Sequence, residues 1–198
     1  MMRLIVITDA AFDAREPESI RLLLEEGIDR VHLRKPGATE PEMRRLIEAL
    51  PPALFPRLSL HDRLPLAVEY GLGGMHLNAR NPEVPAGFRG AVSRSCHATA
   101  ELAAHPDATY LFLSPVFDSI SKEGYRAGYA PQELREAAAA GVIGPRTVAL
   151  GGLRPELLPR VRDYGFGGAA FLGYVWQGDT SAAALKRKAA ELRRFETR

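Results

Sequence analysis

Cysteine occurs once in the 198 residues, at Cys96, which excludes an internal disulfide and suits a reducing compartment. No apolar run approaches the roughly 20 residues that a bilayer-spanning helix needs. The first residues lack the charged region, apolar stretch and small-residue cleavage site of a secretory signal, and Leu4 to Ile7 reads as a short buried strand instead. Charge of one sign is missing too. The 26 basic and 24 acidic residues leave a net charge of +2, so nothing demands nucleic acid or a membrane surface. Composition breaks and linkers are also absent. Together these absences imply a soluble, cytoplasmic protein with residues 1–198 in one domain, and 46% hydrophobic content suffices for one full core.

What is present is an alternation. Arg3 to Thr8 is a β-rich run, and Ile20, Leu23 and Leu24 then share one helical face that Gly27 closes. Ile28 to Leu33 is the next strand. Thr39 is an N-cap with Pro41 in the first turn, before the stripe Met43, Leu46, Ile47, Leu50. Arg57 to Leu60 is a third strand, followed by a short helix through Leu66, Ala67 and Tyr70. Gly74 to Leu77 is a fourth, running into the polar turn Asn78 to Pro82. Ala91 to Ser93 begins the fifth, with a helix from Thr99 to Ala104 after it. Thr109 to Leu113 is the sixth, before a helix from Pro131 to Ala140. Thr147 to Leu150 is the seventh, with a helix ending before Gly165, and Gly168 to Leu172 is the eighth. A last helix carries Leu185, Ala189, Leu192 and Phe195 on one face.

Eight such units predict a parallel sheet, and their regular spacing predicts a compact α/β (β/α)8 TIM barrel. In that fold function sits where strands end. The unusual polar residues fall there: Arg34, His61, Asp62, Asn78, Asn81, Ser95, His97, Ser119, Ser121, Lys122, Gly151 and Gly152.

Ser114-Pro115-Val116-Phe117-Asp118-Ser119-Ile120-Ser121-Lys122 brings two hydroxyls and a lysine close together after strand six. Such groups suit a polyanion, hydroxyls by donation and lysine by charge. After strand seven, Gly151-Gly152 either lets the backbone approach a phosphate or makes a tight turn with positive φ; Gly167, Gly168 and Gly173 leave space beside it. Arg34 suits bidentate oxyanion recognition, or forms with Lys35 a solvated basic pair. Asp62 suits Mg2+, or else pairs with Arg63 or caps the next helix. His61 and His97 stand at strand ends as acid–base candidates, whereas His32 and His76 lie inside strands and are expected to pack with one satisfied nitrogen. The five histidines make no zinc spacing. Cys96 and His97 point to opposite faces of an extended segment, so Cys96 is not read as a nucleophile. The basic residues of the last helix, Lys186 to Lys188 with Arg193 and Arg194, form its wet face.

Together these residues resemble the thiamine phosphate synthase and TenI superfamily through nearly the whole chain. The most specific matches are His32-Leu33-Arg34, Asp62-Arg63, Gly74-Met75-His76-Leu77, Ser95-Cys96-His97, the Ser114 to Lys122 stretch and Leu150-Gly151-Gly152-Leu153. The resemblance implies a compact barrel, small phosphorylated heterocyclic substrates, and a synthase that joins a pyrimidine diphosphate to a thiazole phosphate with Mg2+. Ser119, Ser121 and Lys122 stand at the family's Thr-x-Thr-Lys phosphate contacts, Arg34 at a pyrophosphate-binding arginine, Asp62 at a metal aspartate and Gly152 in the thiazole-phosphate loop.

Four departures accompany the likeness. Pro36 stands where the family has a lysine, His61 for the asparagine of an Asn-Asp pair, Asn81 for a second metal aspartate (able to act through a bridging water), and Gly173 for a serine. The tautomerase branch carries a histidine where this chain has Pro115. The expectation is therefore a synthase-type transferase. Its rivals are a thiazole tautomerase using His61 or His97 and a non-catalytic binder of a phosphorylated ligand. A homo-oligomer stays open.

Overall fold

The computed structural model describes residues 2–118 and 128–196. Eight strands run in chain order: β1 (Arg3–Ile7), β2 (Arg30–Leu33), β3 (Leu58–His61), β4 (Gly74–Leu77), β5 (Ala91–Cys96), β6 (Tyr110–Leu113), β7 (Thr147–Leu150) and β8 (Gly168–Phe171). Every neighbouring pair is parallel and β1 pairs with β8, so the sheet closes into a (β/α)8 barrel. Outside it lie α1 (Glu16–Glu25), α2 (Glu40–Glu48), α3 (Pro65–Glu69), α4 (Pro131–Ala139), α5 (Leu158–Asp163), α6 (Gly173–Trp176) and α7 (Ala182–Glu196). None of the described helices is long and apolar enough to cross a membrane.

Local chemistry sets the element ends. At α2 the Glu42 carboxylate accepts the Thr39 N–H at 2.8 Å and its hydroxyl at 2.6 Å, closing a capping box. Thr109 lies outside β6, its hydroxyl accepting the Val92 N–H at 3.0 Å. Two expected alternations are modified. The segment expected as a helix after β5 is a 3-10 turn, Thr99–Ala104; it is short, and Pro106 disfavours the helical conformation of the residue before it. Among the described residues no helix joins β4 to β5, where Pro82, Pro85, Gly87 and Gly90 oppose one.

Strand alternation divides the buried residues into two shells. Val6, Val31, Leu33, Leu60, Met75 and Leu113 face outward into the layer packed under the helices, against Ile20, Leu23, Ile47, Val161 and Leu185. Truncating a wholly buried leucine of that layer to alanine costs about 2–5 kcal/mol. An exposed ion pair such as Arg21–Glu25 is worth about 0–1 kcal/mol, so the apolar shell holds the barrel. The lumen is split. Ile5, Ile7, Tyr110, Phe112, Val148 and Ala170 fill one side; buried His32, Ser59, His61, His76 and Ser93 fill the other.

Candidate active site

Cross-strand register builds the polar half of the lumen. His32 pairs with Ser59, His61 with His76, and His76 with Ser93, all at inward positions. His32 Nε2 meets the Tyr110 hydroxyl at 2.6 Å and its Nδ1 meets His61 Nε2 at 2.8 Å. His76 Nδ1 meets the Ser93 hydroxyl at 2.9 Å and its Nε2 the Ser95 hydroxyl at 3.0 Å. The expectation of one satisfied nitrogen on His32 and on His76 is corrected, since both nitrogens of each ring are engaged. Register supplies the second partner from the adjoining strand.

Burial pushes His32 and His61 well below their ordinary 6.5, with the neighbouring His76 adding to it. Burial first, and then the Arg34 charge, bring His76 down to about 4. The cluster is therefore neutral at neutral pH. Its ring nitrogens come within 4.8 Å of one another, close enough to raise the question of a metal. The geometry opposes one shared ion. His61 and His76 stack with centroids 4.1 Å apart and planes 14° from parallel, so their in-plane lone pairs do not converge on one point, and the His32 and His76 nitrogens already hold protein partners. The histidines make a hydrogen-bonded floor.

Above that floor, β3 ends in two successive left-handed residues, Asp62 at φ 56° and Arg63 at φ 46°, a conformation that asparagine and aspartate tolerate better than arginine. Asp62 Oδ1 accepts from Asn81 Nδ2 at 2.8 Å, from Asn78 Nδ2 at 3.2 Å and from Arg80 Nη2 at 3.2 Å. Arg63 donates from Nε and Nη2 to the Ala38 carbonyl. Asp62, Arg63, Ala38, Arg80 and Asn81 line a rim pocket of about 450 Å³. Neither alternative for Asp62 holds: its ion partner is Arg80, and α3 is capped at Leu64. The left-handed turn carries the carboxylate toward the loop after β4.

The Arg34 backbone exchanges hydrogen bonds with the Thr8 hydroxyl, and its charge is among the causes that hold His61 and His76 neutral. Lys35 is not solvated. It points away from the lumen and is wholly buried, with Nζ on Glu16 Oε1 at 2.6 Å, the Asp9 carbonyl at 2.9 Å and the Ala11 carbonyl at 2.5 Å. His97, just after β5, is exposed and sets Nδ1 3.1 Å from the Ser114 carbonyl. Cys96 is fully buried among apolar neighbours, and burial pushes its thiol up to about 11, which agrees with its reading as a non-nucleophile.

The loops after β6 and β7 are stitched together. Val116 N donates to the Leu150 carbonyl at 2.9 Å and Phe117 N to the Gly151 carbonyl at 3.2 Å. Gly151 and Gly152 have φ of 97° and 65°, and a Cβ on Gly152 would lie 2.1 Å from the Asp118 carbonyl oxygen. The tight turn is thus real, and it seats the β6 loop. Gly173 opens the four-residue α6, whose Trp176 ties back to the Ile7 carbonyl at 2.7 Å. Ser119, Ser121 and Lys122 lie outside the described residues.

Asp62 and Asn81 are therefore brought together, as are His61, His76 and Ser95, while His97 stands apart on Ser114. His32, His76, Tyr110 and Arg80 were not singled out as functional from the sequence. Matching parity across strand ends signals the first three. For Arg80, the signal is a cation beside Asn81 in a loop where the family resemblance implies acid.

A closed barrel that gathers its polar groups at the C-terminal ends of its strands has the architecture of a (β/α)8-barrel enzyme. Within that class the chain belongs to the thiamine monophosphate synthase family, whose profile matches residues 4–175. It is similar over 99% of its length, with 36% identity and a TM-score of 0.88, to thiamine phosphate pyrophosphorylase from Bacteroides thetaiotaomicron, of which 98% is covered. It is 34% identical over 133 residues to the thiamine-phosphate synthase of Methanoculleus marisnigri, a match spanning 63% of this chain and 62% of that protein. With the thiamine-phosphate synthase of Cronobacter sakazakii it shares 29% identity over 182 residues, 86% of this chain and 85% of that protein.

Proposed function

We propose that the chain is a thiamine phosphate synthase-type transferase that joins a hydroxymethylpyrimidine diphosphate to a thiazole phosphate, giving thiamine phosphate and pyrophosphate. The observation that carries this reading is the end-to-end likeness to the Bacteroides thetaiotaomicron protein, at 36% identity with both chains almost fully covered. In the reaction the methylene C–O bond to pyrophosphate breaks and its electron pair leaves on oxygen. The thiazole nitrogen lone pair forms the new C–N bond. Such a step asks the protein for positioning and for charge opposite the leaving group, with no protein nucleophile.

In this reading the Gly151-Gly152 turn and Gly173 cradle the thiazole phosphate. Ser119, Ser121, Lys122 and Arg34 face the pyrophosphate. His61 and Ser95 belong to the lumen floor beneath the pyrimidine, as neutral donors and acceptors. His97 has no proton to move in this chemistry.

The Mg2+ that the family resemblance implies meets a poor donor set. Mg2+ takes oxygen ligands, one or two carboxylates completed by phosphate and water. Among the described residues Asp62 is the one carboxylate lining the rim pocket, and its Oδ1 already faces three N–H donors, one of them on a guanidinium. Asn78 Oδ1 accepts the N–H groups of Arg80 and Asn81. The residues do not fit a divalent cation, and no step is assigned to one.

The test is direct. Folded protein mixed with both substrates should form thiamine phosphate and pyrophosphate above a no-enzyme control, read by chromatography. No product from folded protein, with and without Mg2+, rejects the transferase reading.

A further inference from the structure

We propose that Arg80 is the resident counter-charge for the pyrophosphate at this rim, standing where a divalent cation would, so that the anion binds without added metal. The proposal rests on the synthase reading for its ligand and on the geometry around Asp62 for its mechanism.

The loop after β4 is built to present this side chain. Asn78 and Asn81 exchange backbone hydrogen bonds at 3.2 and 3.0 Å, and Asn78 Oδ1 accepts the Arg80 N–H at 2.9 Å. That turn fixes the Cα of Arg80 at the edge of the rim pocket. The side chain is 73% exposed, and Asp62 holds it through Nη2 alone, at 3.2 and 3.3 Å. Among the described residues its Nε and Nη1 carry no hydrogen bond. A planar fork with free N–H groups matches the oxygens of a phosphate in pairs.

Asp62 then has a different task from ligation. With its left-handed backbone and its two asparagine donors it is a fixed anchor that points the guanidinium into the pocket. An exposed ion pair of this kind is weak, so a pyrophosphate carrying several negative charges outcompetes one carboxylate for the fork. Asn81 is neutral where an acid would have held a metal, and removing that acid also removes repulsion against the anion. The leaving pyrophosphate accumulates charge as its C–O bond breaks, and a guanidinium preorganised beside it favours that stage over the ground state.

Titration calorimetry with inorganic pyrophosphate separates this from a metal-held anion. In EDTA the wild-type protein should bind pyrophosphate, Arg80→Ala should bind it at least about tenfold more weakly, and Arg80→Lys should recover part of the loss because charge survives without the fork. Asp62→Asn is the discriminating variant. An anchoring carboxylate opposes the anion, so Asp62→Asn should bind pyrophosphate as tightly as wild type or more tightly in EDTA. Binding that requires Mg2+, is abolished in Asp62→Asn, or is unchanged in Arg80→Ala overturns the proposal. If these binding results hold while no thiamine phosphate forms in either buffer, the proposal for Arg80 stands and the synthase reading fails.

Discussion

Lys35 and Glu16 make a buried ion pair whose stability role follows from its accounting of protons and donors. All three Lys35 N–H groups are used, on Glu16 Oε1 and on the carbonyls of Asp9 and Ala11. Glu16 Oε2 is buried without a partner among the described residues, and desolvation raises the affinity of this carboxyl for a proton. The pair therefore ties the loop after β1 to the end of β2 without a surplus of hydrogen bonds. Lys35→Met should lower unfolding free energy by about 3–5 kcal/mol, because it leaves a carboxylate buried alone. Lys35→Met with Glu16→Leu should recover most of that loss. Urea unfolding decides it, and a single-variant loss under about 1 kcal/mol would contradict a buried charge pair. Strand parity in the sequence separates Lys35 from Arg34 and sends it away from the lumen. Its partner could not be read, because no periodicity links a helix N-terminus to a strand end 19 residues on.

At the scale of elements, two loops behave as one unit. The β6 and β7 loops share backbone hydrogen bonds, and Gly152 sits where any Cβ would meet the Asp118 carbonyl. Gly152→Ala should cost more than the ~1–3 kcal/mol of a strained positive φ alone, and should weaken binding of thiazole phosphate. Gly141 is the control: its φ is 73° but nothing lies within 4 Å of its Cβ position, so Gly141→Ala should lose stability while leaving ligand affinity unchanged. Thermal unfolding and calorimetry read the two effects separately. The strands were legible because short apolar runs bounded by turn residues leave few alternatives. The 3-10 turn at Thr99–Ala104 was read as a helix because alanine and glutamate favour one, while its length and the proline after it decide otherwise. The Gly151-Gly152 turn was legible in one sense, as glycine demanded by a backbone of positive φ.

Across the whole molecule, the split lumen makes stability depend on pH. His76 has a folded value of about 4 against an ordinary 6.5, so between those values the unfolded chain binds a proton that the folded barrel refuses. Stability from this group is fully present above about pH 6.5 and is lost progressively as pH falls toward 4. From pH 7 to pH 5 His76 alone should remove about 2 kcal/mol, and His32 and His61, lowered in the same direction, should steepen the fall. Urea unfolding across that range should show the slope, and His76→Gln should flatten it. A stability flat between pH 7 and 5 would rule out a neutral buried cluster. The histidines themselves were plain in the sequence, each on a strand. Their convergence was not, because it depends on cross-strand register, which appears only when His61 is set beside His76 and His32 beside Ser59. Arg80 was hidden for a related reason: the left-handed turn that swings Asp62 toward it has no glycine to announce it.

The lone cysteine gives the barrel a built-in clock. Cys96 is fully buried on β5, in the shell beneath the helices, with its thiol held protonated up to about 11. A thiol reagent therefore finds no thiolate and no path while the barrel is closed, and each labelling event records an opening of the β5 wall. One stopped-flow trace thus reports how often the fold breathes, with no probe introduced and no residue changed.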